Sequence, residues 1–110
     1  MSNKYFRKGL IPASATEEDL YEVPPANVAI LKSLRVTNDS SSRSGITIVQ
    51  YGALGSSPIY LLKGFILPVS ATFDLFNGIP CVLQEGDKIA VESSEANVNF
   101  YLSYLEVDRT

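Results

Sequence analysis

The 110-residue chain is 45% hydrophobic, 10% aromatic and 19% charged, which excludes a disordered polymer and gives enough material for one packed core but not two. Its net charge of −3 argues against a nucleic-acid binder, which would present a basic face. One cysteine, Cys81, rules out an intrachain disulfide framework, and the lack of histidine removes the commonest general base and metal ligand.

Residues 1–8 (MSNKYFRK) are polar and basic and read as an N-terminal arm ahead of a single domain over residues 9–110. No apolar stretch with a small-residue cleavage site follows, so no secretory leader is expected there. Gly9–Ala15 reads as extended, with Pro12 confined to an edge or a strand end. Thr16, Glu17, Glu18 and Asp19 fit either one capped helical turn or a loop into a short strand at Leu20–Val23. The Pro24-Pro25 pair, which forces its predecessor out of the helical region, favours the loop.

Val28–Asn38 (VAILKSLRVTN) is the longest predicted strand. Strict alternation places Val28, Ile30, Lys32, Leu34 and Val36 on one face and Ala29, Leu31, Ser33, Arg35 and Thr37 on the other. Asp39–Gly45 is a loop by composition, Gly45–Gly52 a strand, Ala53–Pro58 a second loop, and Ile59–Pro68 a strand with a bulge expected at Gly64. The window Ile59–Val69 is the most apolar in the chain, yet it is too short to span a bilayer and is interrupted by Lys63, Gly64 and Pro68. Ser70–Phe76 extends onward to a tight-turn signal at Asn77-Gly78. Ile79–Leu83 then leads to a Gln84–Asp87 turn, Lys88–Ser93 to a turn at Ser94–Asn97, and Val98–Val107 closes the chain. The result is about eight strands at spacings of roughly 8–12 residues, the pattern of an all-β antiparallel sandwich of jelly-roll type.

Reactive chemistry is scarce. Cys81 sits in IPCVL with no cation or imidazole near it in sequence, and reads as an inert core thiol. Asp74, Glu85, Asp87 and Glu92 offer a carboxylate pair no better than any acidic domain does. Glu17–Asp19 lacks the alternating oxygen ligands of a calcium loop, and no glycine motif cradles a phosphate. Tyr101 and Tyr104 read as half-buried strand residues rather than a sugar-stacking platform. No enzyme, cofactor or metal is expected.

The stretch Lys8–Asn38 carries a further signal. Leu10, Ile11, Pro12, Ala13, Ala15, Thr16, Leu20, Tyr21, Val23 and Pro24, followed by Ala29, Lys32, Ser33, Arg35, Val36, Thr37 and Asn38, give it an L-I-P-A…L-Y-x-V-P…K-S-x-R-V-T-N character. It resembles a family of small tailed-bacteriophage virion proteins, and LQEGDKIAV (Leu83–Val91) is similar to the hairpin before that family's final strand. The resemblance is specific in the first third of the chain; Gly45–Gly78 is placed by pattern alone.

The resemblance implies a β-sandwich building block of the virion, assembled in the host cytoplasm and without catalytic activity. A capsid decoration (cement) protein on the head lattice is the first expectation. A neck, tail or fibre component with a receptor- or glycan-binding role is the alternative. Its partners would be other virion proteins, the major capsid protein foremost, and copies of itself, a trimer by analogy with other jelly rolls; neither nucleic acid nor membrane is implied. The residues expected to make subunit or lattice contacts are Lys4, Tyr5, Phe6, Arg7 and Lys8 of the arm with Lys32 and Arg35 of the long strand. Two cations in a core strand are costly if buried unpaired, so that strand is expected to be partly exposed or near an edge. The plainer account is that Lys32 merely snorkels over the sandwich rim.

Overall fold

The computed structural model describes residues 3–52 and 58–108. Among them are nine strands and no helix: β1 (Asn3–Leu10), β2 (Glu18–Glu22), β3 (Asn27–Asn38), β4 (Ser44–Tyr51), β5 (Ile59–Leu67), β6 (Thr72–Asp74), β7 (Cys81–Leu83), β8 (Lys88–Ser93) and β9 (Val98–Asp108). All but one residue of the loop expected at Ala53–Pro58 lie outside the described residues.

The strands form two antiparallel sheets. Sheet I runs β1-β9-β3, with β6 and β7 both paired to the far side of β3; sheet II runs β2-β8-β4-β5. The pairings nest: β1 with β9, β2 with β8, β3 with β6 and β7, β4 with β5. One long hairpin with its tip at β4–β5 has thus been rolled so that its two arms line both sheets, which is jelly-roll connectivity. β6 and β7 run antiparallel to different stretches of β3 (Arg35–Thr37 and Ala29–Leu31) and are two halves of one lane. Asn77-Gly78, with both φ angles positive, therefore turns a loop that interrupts this lane rather than a hairpin between neighbours.

Leu20, Leu31, Leu34, Ile46, Ile48 and Phe100 lie fully buried between the sheets with Leu83, Ile89 and Leu102. Alternation holds on β9, where Val98, Phe100, Leu102 and Tyr104 face inward. It fails on β3. Ala29 and Leu31 are buried, but so are Leu34, Val36 and Asn38, which strict alternation assigns to the opposite face. A β-bulge between Leu31 and Ser33 accounts for the change, since Leu31 pairs with Tyr104 and Ser33 with Ser103, leaving Lys32 as the extra residue. Lys32 and Arg35 consequently share the outer face instead of lying on opposite ones. The strand bearing them is central in sheet I, between β9 and the β6–β7 lane, and not near an edge.

The bulge expected at Gly64 is present: Ile46 pairs with Phe65 and Ile48 with Leu62, and Gly64 takes φ +66°. The basic segment behaves differently from a free arm. Residues 3–8 belong to β1, which pairs residue for residue with β9 from Asn3↔Val107 to Leu10↔Phe100. Its charges misled because an edge strand accommodates lysine and arginine readily, while Phe6 stacks on Tyr104 with ring centroids 5.6 Å apart. The Glu17–Asp19 segment runs into a strand, β2, as the proline pair suggested.

Asn38 pins the end of β3. Fully buried, it donates from Nδ2 to the carbonyls of Ser42 (2.9 Å) and Leu67 (3.0 Å), and its Oδ1 accepts the Ser40 N–H at 2.9 Å. Its own N–H donates to Ala71 O and its carbonyl accepts from Ser70 N–H. One amide thereby ties β3, the β3–β4 loop and the end of β5 together.

Two outcomes follow. Asn38→Ala strands buried acceptors and is expected to lower stability by about 2–3 kcal/mol, read from the urea midpoint. Deleting Lys32 removes only the extra residue and leaves Leu34 and Val36 in phase, so the chain should still fold; deleting Arg35 turns Val36 and Asn38 outward and should cost more than about 4 kcal/mol. Circular dichroism and thermal melting of the two deletions separate these cases.

Candidate interaction surface

Residues paired across an antiparallel ladder share a face, so the register of sheet I defines its outer surface. Arg7, Ser103 and Ser33 form one row, and Arg35 and Tyr101 stand in the next. The Arg35 guanidinium lies over the Tyr101 ring, 5.1 Å from its centroid, a cation–π contact that orients it without neutralising it. Lys32 reaches the same area because the bulge turns it outward. Beside them a shallow depression of about 420 Å³ is lined by Tyr5, Phe6, Arg7, Lys32, Tyr101, Ser103 and Tyr104, with no carboxylate among them.

The fold therefore gathers five of the seven residues expected to make contacts: Tyr5, Phe6, Arg7 and Lys32 line the depression, and Arg35 covers one of its tyrosines. Lys4 lines a smaller hollow of about 150 Å³ with Phe6, Asn27, Glu106 and Asp108. Lys8 pairs with Leu102, on the face of β1 away from Arg7. Tyr101 was the residue missed. Its alternation with Tyr104 on β9 already put the two rings on opposite faces, but only the pairing of β9 with β3 reveals Arg35 beside it.

Among the described residues the one ion pair is Lys88–Asp19, at 3.3 Å on sheet II. Arg7, Lys32 and Arg35 make no ion pair, although Asp74 of β6 stands cross-strand from Arg35; they are mounted on β1 and β3, either side of β9. Such an array receives carboxylates or other anions with little reordering. Reactive groups are few: Cys81, half-buried on β7, has its thiol pushed up by burial, and no cluster of three potential metal ligands occurs among the described residues.

Beneath the surface the site rests on a polar and aromatic support. Tyr21 and Tyr104 lie 4.2 Å apart centroid to centroid. The Tyr21 hydroxyl donates to Glu106 Oε2 at 2.6 Å, and Asn27 Nδ2 donates to Glu106 Oε1 at 3.4 Å. Burial, then the hydrogen bond to Glu106 and its charge, push the Tyr21 phenol well above the ordinary tyrosine range. Burial and the same carboxylate raise Tyr104.

No family model matches the sequence, and no curated protein matches it. Solved structures do. A chain from Bacillus endospore appendages, described as a novel family of disulfide-linked pili, superposes with a TM-score of 0.58 at 11% identity, covering 99% of this chain and 88% of that one. A chain of infectious bursal disease virus, Gx strain, gives 0.54 at 12% identity, covering 96% of this chain and 30% of that one. T=1 particles derived from infectious bursal virus give 0.52 at 9% identity, over 94% and 31%. The present chain therefore spans about a third of the viral chains it matches. The likeness is one of fold.

The Tyr21–Glu106 contact has a testable pH signature. A phenol whose folded value is raised contributes stability that is whole below about pH 10 and lost as pH rises toward the folded value. Tyr21→Phe is expected to cost about 1 kcal/mol at neutral pH and to flatten the alkaline loss of stability. Urea midpoints measured from neutral to strongly alkaline pH check this; an unchanged alkaline slope would remove Tyr21 as its source.

Proposed function

We propose that this chain is a non-enzymatic structural protein of a bacteriophage virion, a capsid decoration protein that lays the outer face of sheet I on an acidic surface of the head lattice. The observation that carries the reading is the unpaired cluster of Arg7, Lys32 and Arg35 around Tyr101, held outward on a rigid sheet. The resemblance of Lys8–Asn38 to small virion proteins supports it, and the jelly-roll fold, also found in chains of viral particles, is compatible with it. The partner would be the major capsid protein. Many identical modest contacts across a lattice hold firmly through avidity, without one strong site.

A second reading, a neck, tail or fibre component that recognises a glycan, is favoured by one feature: the Tyr101 ring with Arg35 on it and Ser103 alongside, at the edge of an open depression. A disulfide-linked filament does not suit these residues, because each subunit of such a chain must bond two neighbours and this sequence offers one cysteine.

The decoration reading predicts hundreds of copies per purified particle by quantitative mass spectrometry against the major capsid protein. The charge-reversed variant Arg7→Glu/Lys32→Glu/Arg35→Glu should lose at least tenfold in occupancy, and salt should weaken wild-type attachment. A few to a few dozen copies would favour neck, tail or fibre, and absence from particles would end the virion reading.

A further inference from the structure

The register places an uncharged row on the same outer face as the cations. Tyr5 pairs with Leu105, Leu105 with Ile30 and Ile30 with Val82, so four apolar side chains stand in one line across β1, β9, β3 and β7. Tyr5 and Val82, at its ends, are 75% and 56% exposed, and Ile30 is half-buried. The row on one side of this line, Val107 with Val28, is apolar as well. On its other side lies the row of Arg7, Ser103 and Ser33, then that of Tyr101 and Arg35. Line and cations meet in the shallow depression that Tyr5, Arg7 and Lys32 share. The face is apolar along one half and cationic along the other.

Charge sets the chemistry of what covers it. Of the residues that the register assigns to this face, one is a carboxylate: Asp74, across from Arg35, whose Oδ1 already accepts the Leu34 and Phe76 N–H groups. The row of Arg7, with Lys32 turned outward beside it, holds none. Glu85 lies off the apolar half, in a hollow with Val28. A wholly apolar partner would desolvate the cations without pairing them, and a wholly acidic one would press carboxylates onto hydrocarbon. The partner that satisfies both halves carries apolar side chains in a line, with carboxylates along one side of that line.

Spacing sets the partner's form. Neighbouring strands lie ~4.8 Å apart, so the line spans about 14 Å. An α-helix rises about 5.4 Å per turn and brings one side of itself to a surface once per turn, close to one side chain per strand over about ten residues. An extended strand puts same-side residues ~6.7 Å apart and falls out of step within two of them. The Arg7 row runs beside the apolar line two residues along the strands, again ~6.7 Å away, within reach of carboxylates on a helix about 5–6 Å in radius. The geometry points to an acidic amphipathic helix of a partner protein as the occupant, laid across sheet I with its apolar stripe on Tyr5, Leu105, Ile30 and Val82 and its carboxylates toward Arg7 and Lys32. This deepens the docking role proposed above and rests on the same face being the one used. It adds an apolar half to the contact, which salt does not screen.

Fluorescence anisotropy of a labelled synthetic peptide, titrated with the full chain, tests it. The probe is an alanine-based helix of about 16 residues with a leucine stripe at alternate third and fourth positions and glutamates along one side of the stripe. One control peptide carries lysine for glutamate; another rearranges the same residues into an extended alternating pattern. The acidic helix is expected to bind with a Kd below about 1 mM, and both controls about tenfold more weakly or worse. Tyr5→Ser with Val82→Ser should cost about fivefold or more, a loss that persists at about 0.5 M salt, whereas the loss from Arg7→Glu with Lys32→Glu should shrink there. Ile66→Ser, on the outer face of sheet II, should leave binding unchanged. Circular dichroism checks that each variant is folded. No binding of the acidic helix, equal binding of either control, or indifference to the Tyr5 and Val82 changes would overturn the inference. No particle enters this titration, so absence of the chain from virions would end the virion reading alone, and a chain abundant on virions with an indifferent Tyr5–Val82 line would end this inference alone.

Discussion

The rest of the structure depends on one extra residue in β3. This strand lies between β9 and the β6–β7 lane and supplies the core of sheet I from Ala29 to Asn38. Without the irregularity at Lys32, a sequence with Leu31 and Leu34 three apart could not keep both inside, because side chains alternate with a period of two. The bulge absorbs the odd residue. Ala29 and Leu31 stay buried before it, Leu34, Val36 and Asn38 after it, and Lys32 and Arg35 are turned to the same side. One local backbone event thus closes the core and builds the cationic surface. Desolvating either charge would cost several kcal/mol, so the packing of the apolar residues and the exposure of the cations reinforce each other.

The same division between inside and outside governs the edges. A rolled hairpin of two four-lane sheets leaves two flanks unsealed, and each is managed by different means. β1 is guarded by lysine and arginine and β2 by acidic side chains, and Tyr5 and Phe6 of β1 are exposed beside them. β5 is guarded by its bulges and Lys63, which limit backbone pairing but leave Ile59, Tyr60 and Ile66 in water. The guard is therefore against uncontrolled strand addition rather than against contact.

Much of this architecture is legible in sequence because turn chemistry and strand composition are local. β8 begins and ends where its pattern does, β4, β5 and β9 lie within a residue of theirs, and Gly64 and Gly86 take positive φ where a bulge and a turn were expected. What was not legible is long-range. Residues 3–8 look like a tail until Phe6 finds Tyr104 and β9 supplies the ladder, a pairing across nearly the whole chain. Leu31 and Leu34 admit two phases, and only the pairing of Ser33 with Ser103 selects one. Asn38 reads as a strand-ending polar residue, and its role emerges only when Leu67 is brought within 3.0 Å of its amide. Of the surface cluster, the cations stand out in the sequence, whereas Tyr101 gains significance from a neighbour on another strand.

Charge and exposed hydrocarbon are divided between the faces, and that bears on how such a molecule would assemble. The cationic cluster lies on the broad outer surface of sheet I, where Val82 pairs with Ile30, while Ile66, paired with Gly45, stands on the outer surface of sheet II. A lone contact between exposed charges is screened at physiological salt. If the cationic face meets a surface that repeats its acidic sites, the weak contacts of many copies add, and attachment rests on their number rather than on any one of them.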